Sequence, residues 1–91
     1  MSSTLIMRKT PVPAKNSEVG FGLPVKGMIA RKFYGHDGSL GGGMLTVGDD
    51  CTEWFEGLLA GLNYNGKEAK DLERMVQVLR DGGTVDMWFE V

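Results

Sequence analysis

His36 stands next to Asp37, and an imidazole beside a carboxylate is a pairing that general acid–base catalysis uses. The two are neighbours at a turn, and no catalytic spacing ties a nucleophile to them, so a solvent-exposed turn histidine accounts for His36. Cys51 precedes a helical pattern whose positive end would favour a thiolate, but Asp49, Asp50 and Glu53 around it act in the opposite direction. A single Cys and a single His fall short of the four ligands of a structural zinc site within a monomer. Asp49, Asp50, Glu53 and Glu56 lack the Asp-x-Asp-x-Asp-Gly spacing of a calcium loop, and helix capping accounts for the first three. Gly35, Gly38 and Gly41–Gly43 invite comparison with a phosphate loop. No Lys-Ser/Thr follows them, and Met44–Val47 reads as a strand, which excludes both a P-loop and a dinucleotide fingerprint. The expectation is a protein without catalytic residues, cofactor or metal.

The stretch that would organise the chain is Val25–Val47, VKGMIARKFYGHDGSLGGGMLTV, read as a β-hairpin closed by Asp37-Gly38. Asp-Gly between apolar-rich runs suits a type I′ turn, which needs positive φ at both central positions. In that register Phe33 and Tyr34 oppose Gly42 and Gly41, and an aromatic can cover the bare backbone of a glycine strand. Val25, Ile29 and Phe33 then share one strand face with Gly27 and Arg31, while Lys26, Met28, Ala30, Lys32 and Tyr34 share the other.

Around the hairpin, Thr4–Lys9 reads as a first strand that Pro11 and Pro13 end. Residues 10–24, with three prolines, read as a long loop, although Val19-x-Phe21-x-Leu23 also allows a short strand. A helix follows Asp50, with Asp50 and Glu53 as a capping box. Its apolar face holds Cys51, Trp54, Phe55, Leu58, Leu59 and Leu62, and Gly57 and Gly61 form a separate stripe. A second helix spans Lys67 to Asp81, with Asn65 and Glu68 as a capping pair, Ala69, Leu72, Met75, Val76 and Leu79 buried, and Gly82 ending it. Thr84–Val91 is a last strand, with Val85, Met87, Phe89 and Val91 on one face and Thr84, Asp86, Trp88 and Glu90 on the other. The order β-β-β-α-α-β predicts an α+β domain over residues 1–91, a largely antiparallel sheet of about four strands with both helices packed on one face.

Ninety-one residues suffice for one small core, and 42% apolar with 24% charged residues is ordinary for a globular chain. The lone cysteine suits a reducing compartment, and MSSTLIMRK is too short in apolar residues for a signal-peptide core. No run approaches the length of a membrane span, so the expected location is the cytoplasm, with no membrane partner. Charge is uneven: residues 1–32 carry six Lys or Arg against Glu18 alone, while the remainder carries four against eleven acids. Such asymmetry marks either an interaction surface or basic strands lying beside acidic helices.

Trp88 lies between Asp86 and Glu90 on the polar face of its strand, where it is either covered by a loop or helices or exposed as an interface anchor. Phe21, Arg31, Lys32, Phe33, Tyr34 and Trp88 form the expected contact set for a protein partner. The reading is a small cytosolic binding module, an inhibitor or adaptor of a larger protein. Its placement among phage- or mobile-element proteins rests on how often such proteins are this small, not on any residue. The alternative is single-stranded nucleic-acid binding through a basic, aromatic sheet face made of Arg8, Lys9, Lys26, Arg31, Lys32, Phe33 and Tyr34. Net negative charge and the absence of an RRM signature stand against it. A homodimer, through a hairpin edge or the Gly57/Gly61 stripe, is compatible with either reading.

Overall fold

A computed structural model of the chain describes residues 3–10, 18–62 and 66–90. Its elements are β1 (Thr4–Thr10), β2 (Val19–Phe21), α1 (Val25–Phe33), β3 (Leu45–Val47), a 3-10 turn (Asp49–Cys51), α2 (Thr52–Gly61), α3 (Lys67–Arg80) and β4 (Thr84–Glu90). The four strands form one antiparallel sheet in the order β2-β1-β4-β3, and the fold is α+β as expected. Alternation along each strand divides the faces. Leu5, Met7, Val19, Phe21, Val47, Val85 and Met87 point inward into one core with Val25 and Ile29 of α1, Phe55 of α2, and Leu72, Met75, Val76 and Leu79 of α3. Thr46, Asp86 and Trp88 belong to the outer face with Ile6 and Arg8, as the pairings Ile6↔Trp88, Arg8↔Asp86 and Thr46↔Asp86 require.

The hairpin is the expectation that the structure overturns. Residues 25–33 are a helix, so three helices rather than two accompany the sheet. Val25, Ile29 and Phe33 recur every fourth residue, and a spacing of four keeps side chains together on a strand and on a helix alike. What separates the two is the rest of the stretch. Met28, Ala30, Arg31 and Lys32 favour a helix, Pro24 stands just before it, and basic residues followed by a glycine make a helix ending. Gly35 adopts φ +77° just past the last turn, where its N–H and that of Tyr34 both reach the Ala30 carbonyl.

Asp37-Gly38 is consequently part of an irregular connection rather than a hairpin tip. The Asp37 carboxylate accepts the Ser39 N–H at 2.9 Å, an Asx turn. Gly41–Gly43 are irregular as well, and an aromatic covers Gly42 alone among them. A Cβ on Gly42 would run into the Tyr34 ring, and the Tyr34 hydroxyl donates to the Gly43 carbonyl at 2.7 Å. The short strand allowed at Val19–Phe21 forms and pairs with β1.

The later helices lie where the periodicity puts them, with different ends. Neither Asp50 nor Glu53 makes a capping bond to α2; a 3-10 turn leads into it instead, with the Cys51 N–H on the Gly48 carbonyl. Gly66 caps α3 without a side-chain bond, and Asn65 lies outside the described residues, as does Val91. At the other end of α3, Gly82 has φ +82°. The Gly82 N–H bonds the Leu79 carbonyl and the Gly83 N–H bonds that of Val78, a complete Schellman motif.

Candidate binding surface

The six residues expected to meet a partner are scattered by this fold. Phe21 is fully buried, because β2 turns it inward opposite Leu5, so it belongs to the core and offers no contact. Phe33 points into the helical layer and stacks on Phe55 with ring centroids 5.5 Å apart. Tyr34 packs edge-on against Phe89 at 5.0 Å, and partial burial pushes its phenol pKa up. Arg31 and Lys32 are exposed on α1.

Trp88 is half-buried on the outer sheet face, where the Arg8 guanidinium lies over its ring at 4.9 Å. Arg8 also pairs with Asp86 at 3.3 Å and approaches Glu18 at 3.9 Å, while Thr46 donates to Asp86 at 2.6 Å. This cation is therefore already engaged by two carboxylates and a ring. The expected basic aromatic sheet face is not assembled from these residues, since Arg31, Lys32, Phe33 and Tyr34 belong to α1 and its end.

A different surface is assembled by the packing of α1 on α2. Phe33 meets Trp54 edge-on at 5.4 Å, and Trp54 meets Phe55 edge-on at 4.9 Å, so three rings join the helices. Phe55 disappears into the core, leaving Trp54 half-exposed at the rim. Beside it opens a groove of about 700 Å³ lined by Met28 of α1, Trp54, Gly57 and Leu58 of α2, and the carboxylates Asp50 and Glu53. Met28, 42% exposed, is also a wall of a neighbouring hollow that contains Leu23, Pro24 and Arg31, and Leu23 is 71% exposed. An apolar strip therefore runs from Leu23 across Met28 to Trp54 and Leu58.

The titratable groups at the site's edges follow from their surroundings. Burial pushes the Cys51 thiol pKa up and the Asp50 carboxylate adds to this, against a weaker opposing pull from Lys32. Cys51 is thus a poor nucleophile at neutral pH. Hydrogen bonds from Ser39 hold the Asp37 carboxyl below the usual carboxylate range, with Arg31 adding a smaller effect. His36 Nδ1 accepts the Gly38 N–H at 2.9 Å, and its ring lies 6.2 Å from that of Phe89. Among the described residues, no three His, Cys, Asp or Glu side chains are gathered to hold a metal, and no helix is long and apolar enough to cross a membrane.

Sequence reasoning missed Met28 and Leu58 as surface residues. Reading residues 25–34 as a strand removed α1, and with it one wall of the groove. The available signal was α2 itself. Its stripe Trp54, Phe55, Leu58 and Leu59 is rich in large apolar side chains, of which the fold buries only Phe55 fully. Neither any protein-family model, nor any curated protein, nor any solved structure matches the chain.

Proposed function

We propose that this chain is a non-enzymatic binding module, an inhibitor or adaptor, that engages a larger protein through the face shared by α1 and α2. The observation that carries the reading is the apolar strip of Leu23, Met28, Trp54 and Leu58, which continues into a groove instead of being dispersed. Contiguous apolar surface with a half-exposed tryptophan and a polar rim has the anatomy of an interface core. Arg31 and Lys32 remain contact candidates at the edge of this face, whereas Phe21 does not.

Affinity capture from a native lysate after nuclease treatment tests the reading when wild type is compared with Leu58→Asp. A protein retained by wild type and lost with the variant is the expected result. A partner set that disappears with nuclease, or that binds both forms equally, overturns it.

A further inference from the structure

Resting on the reading of α1 and α2 as the contact face, we infer that the groove receives a basic amphipathic helix of the partner protein. Its apolar side chains would lie on Met28, Trp54 and Leu58, and its Lys or Arg residues beside Asp50 and Glu53. The first argument concerns charge. The six groove-lining residues include two carboxylates and no cation. From Asp37 to Gly66 the chain holds acids only, Asp37, Asp49, Asp50, Glu53 and Glu56. Glu56 is turned away toward Arg80, at 3.2 Å, while Asp50 and Glu53 have no ion-pair partner among the described residues. Lys32, whose charge acts on Cys51, and Lys26 and Arg31 of the adjoining hollow are the cations of α1, and none of them lines this groove. A cationic segment complements this rim. Nucleic acid and an anionic lipid surface would be repelled by it.

The second argument concerns backbone hydrogen bonds. The groove walls are helices whose own N–H and C=O groups are used internally, so they offer an incoming chain almost no main-chain partners. A segment that enters apolar surroundings must then satisfy its own backbone, which a helix does and an extended strand does not. Space agrees with this. A Cβ on Gly57 or Gly61 would meet nothing within 4 Å, so the backbone of α2 can be approached closely beside Trp54 and Leu58. A second copy of the chain fits less well, because a two-fold contact through the same groove sets the Asp50 and Glu53 rims against each other.

Selection of a displayed library of random 16-residue peptides against the full chain tests the inference. Binding of enriched peptides is then measured for wild type, Leu58→Asp and the isosteric Asp50→Asn/Glu53→Gln variant, each checked by circular dichroism for an unchanged fold. Trp88→Phe leaves Trp54 as the only tryptophan, and its emission should shift to the blue on binding. Expected are helical peptides with apolar residues at i, i+3 or i+4 and i+7 and an excess of Lys and Arg. Leu58→Asp should lose at least about tenfold in affinity. The isosteric variant should lose roughly three- to tenfold, less as salt is raised.

Peptides that need Leu58 but are neutral, acidic or extended, or that ignore the isosteric variant, overturn the basic helix and leave the contact face standing. Peptides that bind Leu58→Asp as well as wild type, or no enrichment at all, overturn the contact face together with the inference. A micromolar dimer that Leu58→Asp dissolves assigns the groove to a second copy and overturns the inference as well.

Discussion

Helices α2 and α3 are both amphipathic, but they spend their apolar residues differently. In α3 the stripe Ala69, Leu72, Met75, Val76 and Leu79 is wholly buried against the sheet, and even Asp71 is enclosed, held by Lys67 at 2.6 Å and Arg74 at 3.5 Å. Its C-terminus closes in a full Schellman motif. In α2, Phe55 is the single fully buried residue, no side chain caps the start, and two glycines interrupt ten residues. One helix is finished by the domain that contains it. The other retains apolar surface beyond what its own core uses, and the proposed contact face rests on that surplus.

Mutations should separate the two helices most clearly in the core. Leu72→Ala is expected to cost about 2–5 kcal/mol in chemical denaturation, whereas Leu58→Ala should cost roughly 1 kcal/mol or less. Equal losses would mean that α2 is as much a part of the core as α3, and would break the contrast. On the outer sheet face, Asp86→Ala removes the acceptor of both Arg8 and Thr46 and should cost about 2 kcal/mol. A neutral result there would extend the unfinished surface to the sheet.

Glycine substitutions should have opposite signs in the two helices. Gly82→Ala forces a Cβ into the left-handed region and should destabilise by about 1–2 kcal/mol. Gly57→Ala places a methyl in open space within a helix and should stabilise the free chain by about 1 kcal/mol, while crowding the groove. The two shifts can be read from melting temperatures measured side by side.

The smallest effect is the alkaline one. The Cys51 thiol has a raised pKa in the folded chain, so its contribution is complete below the unfolded thiol's pKa and is lost as pH climbs toward the folded value. Cys51→Ala should therefore flatten the fall in stability above that pH, and Cys51 should be alkylated more slowly in the folded chain than after denaturation. A flat alkaline limb in wild type would show that the start of α2 is already open.

The α+β class was legible because α3 and β4 each obey a single period. Leu72, Met75, Val76 and Leu79 fit only a helix, and Val85, Met87 and Phe89 fit only a strand. Residues 25–33 satisfy both patterns at Val25, Ile29 and Phe33, and the Asp-Gly pair downstream tipped the reading toward a turn that tertiary packing does not use. The site suffered from the same ambiguity, since it exists only where α1 meets α2. Trp88 was placed correctly on the outer face, but Arg8 covers its ring through the pairing of two strands remote in sequence. No local pattern encodes that meeting. Of the two aromatics expected over the glycine run, Tyr34 alone reaches it, at Gly42 in a loop instead of a strand, while Phe33 turns to Phe55.

The central pair of the sheet joins Thr4 to Glu90 and Thr10 to Thr84, so the fold is framed by contacts between opposite ends of the described chain. Such pairing must close the chain from β1 to β4 into a loop before it is rewarded, which slows folding relative to folds built from local contacts. During synthesis β1 can pair with β2 but waits for its longer partner until β4 has left the ribosome. Throughout that interval the core that shelters Phe55 is incomplete. The nascent chain then exposes apolar surface that the folded one hides.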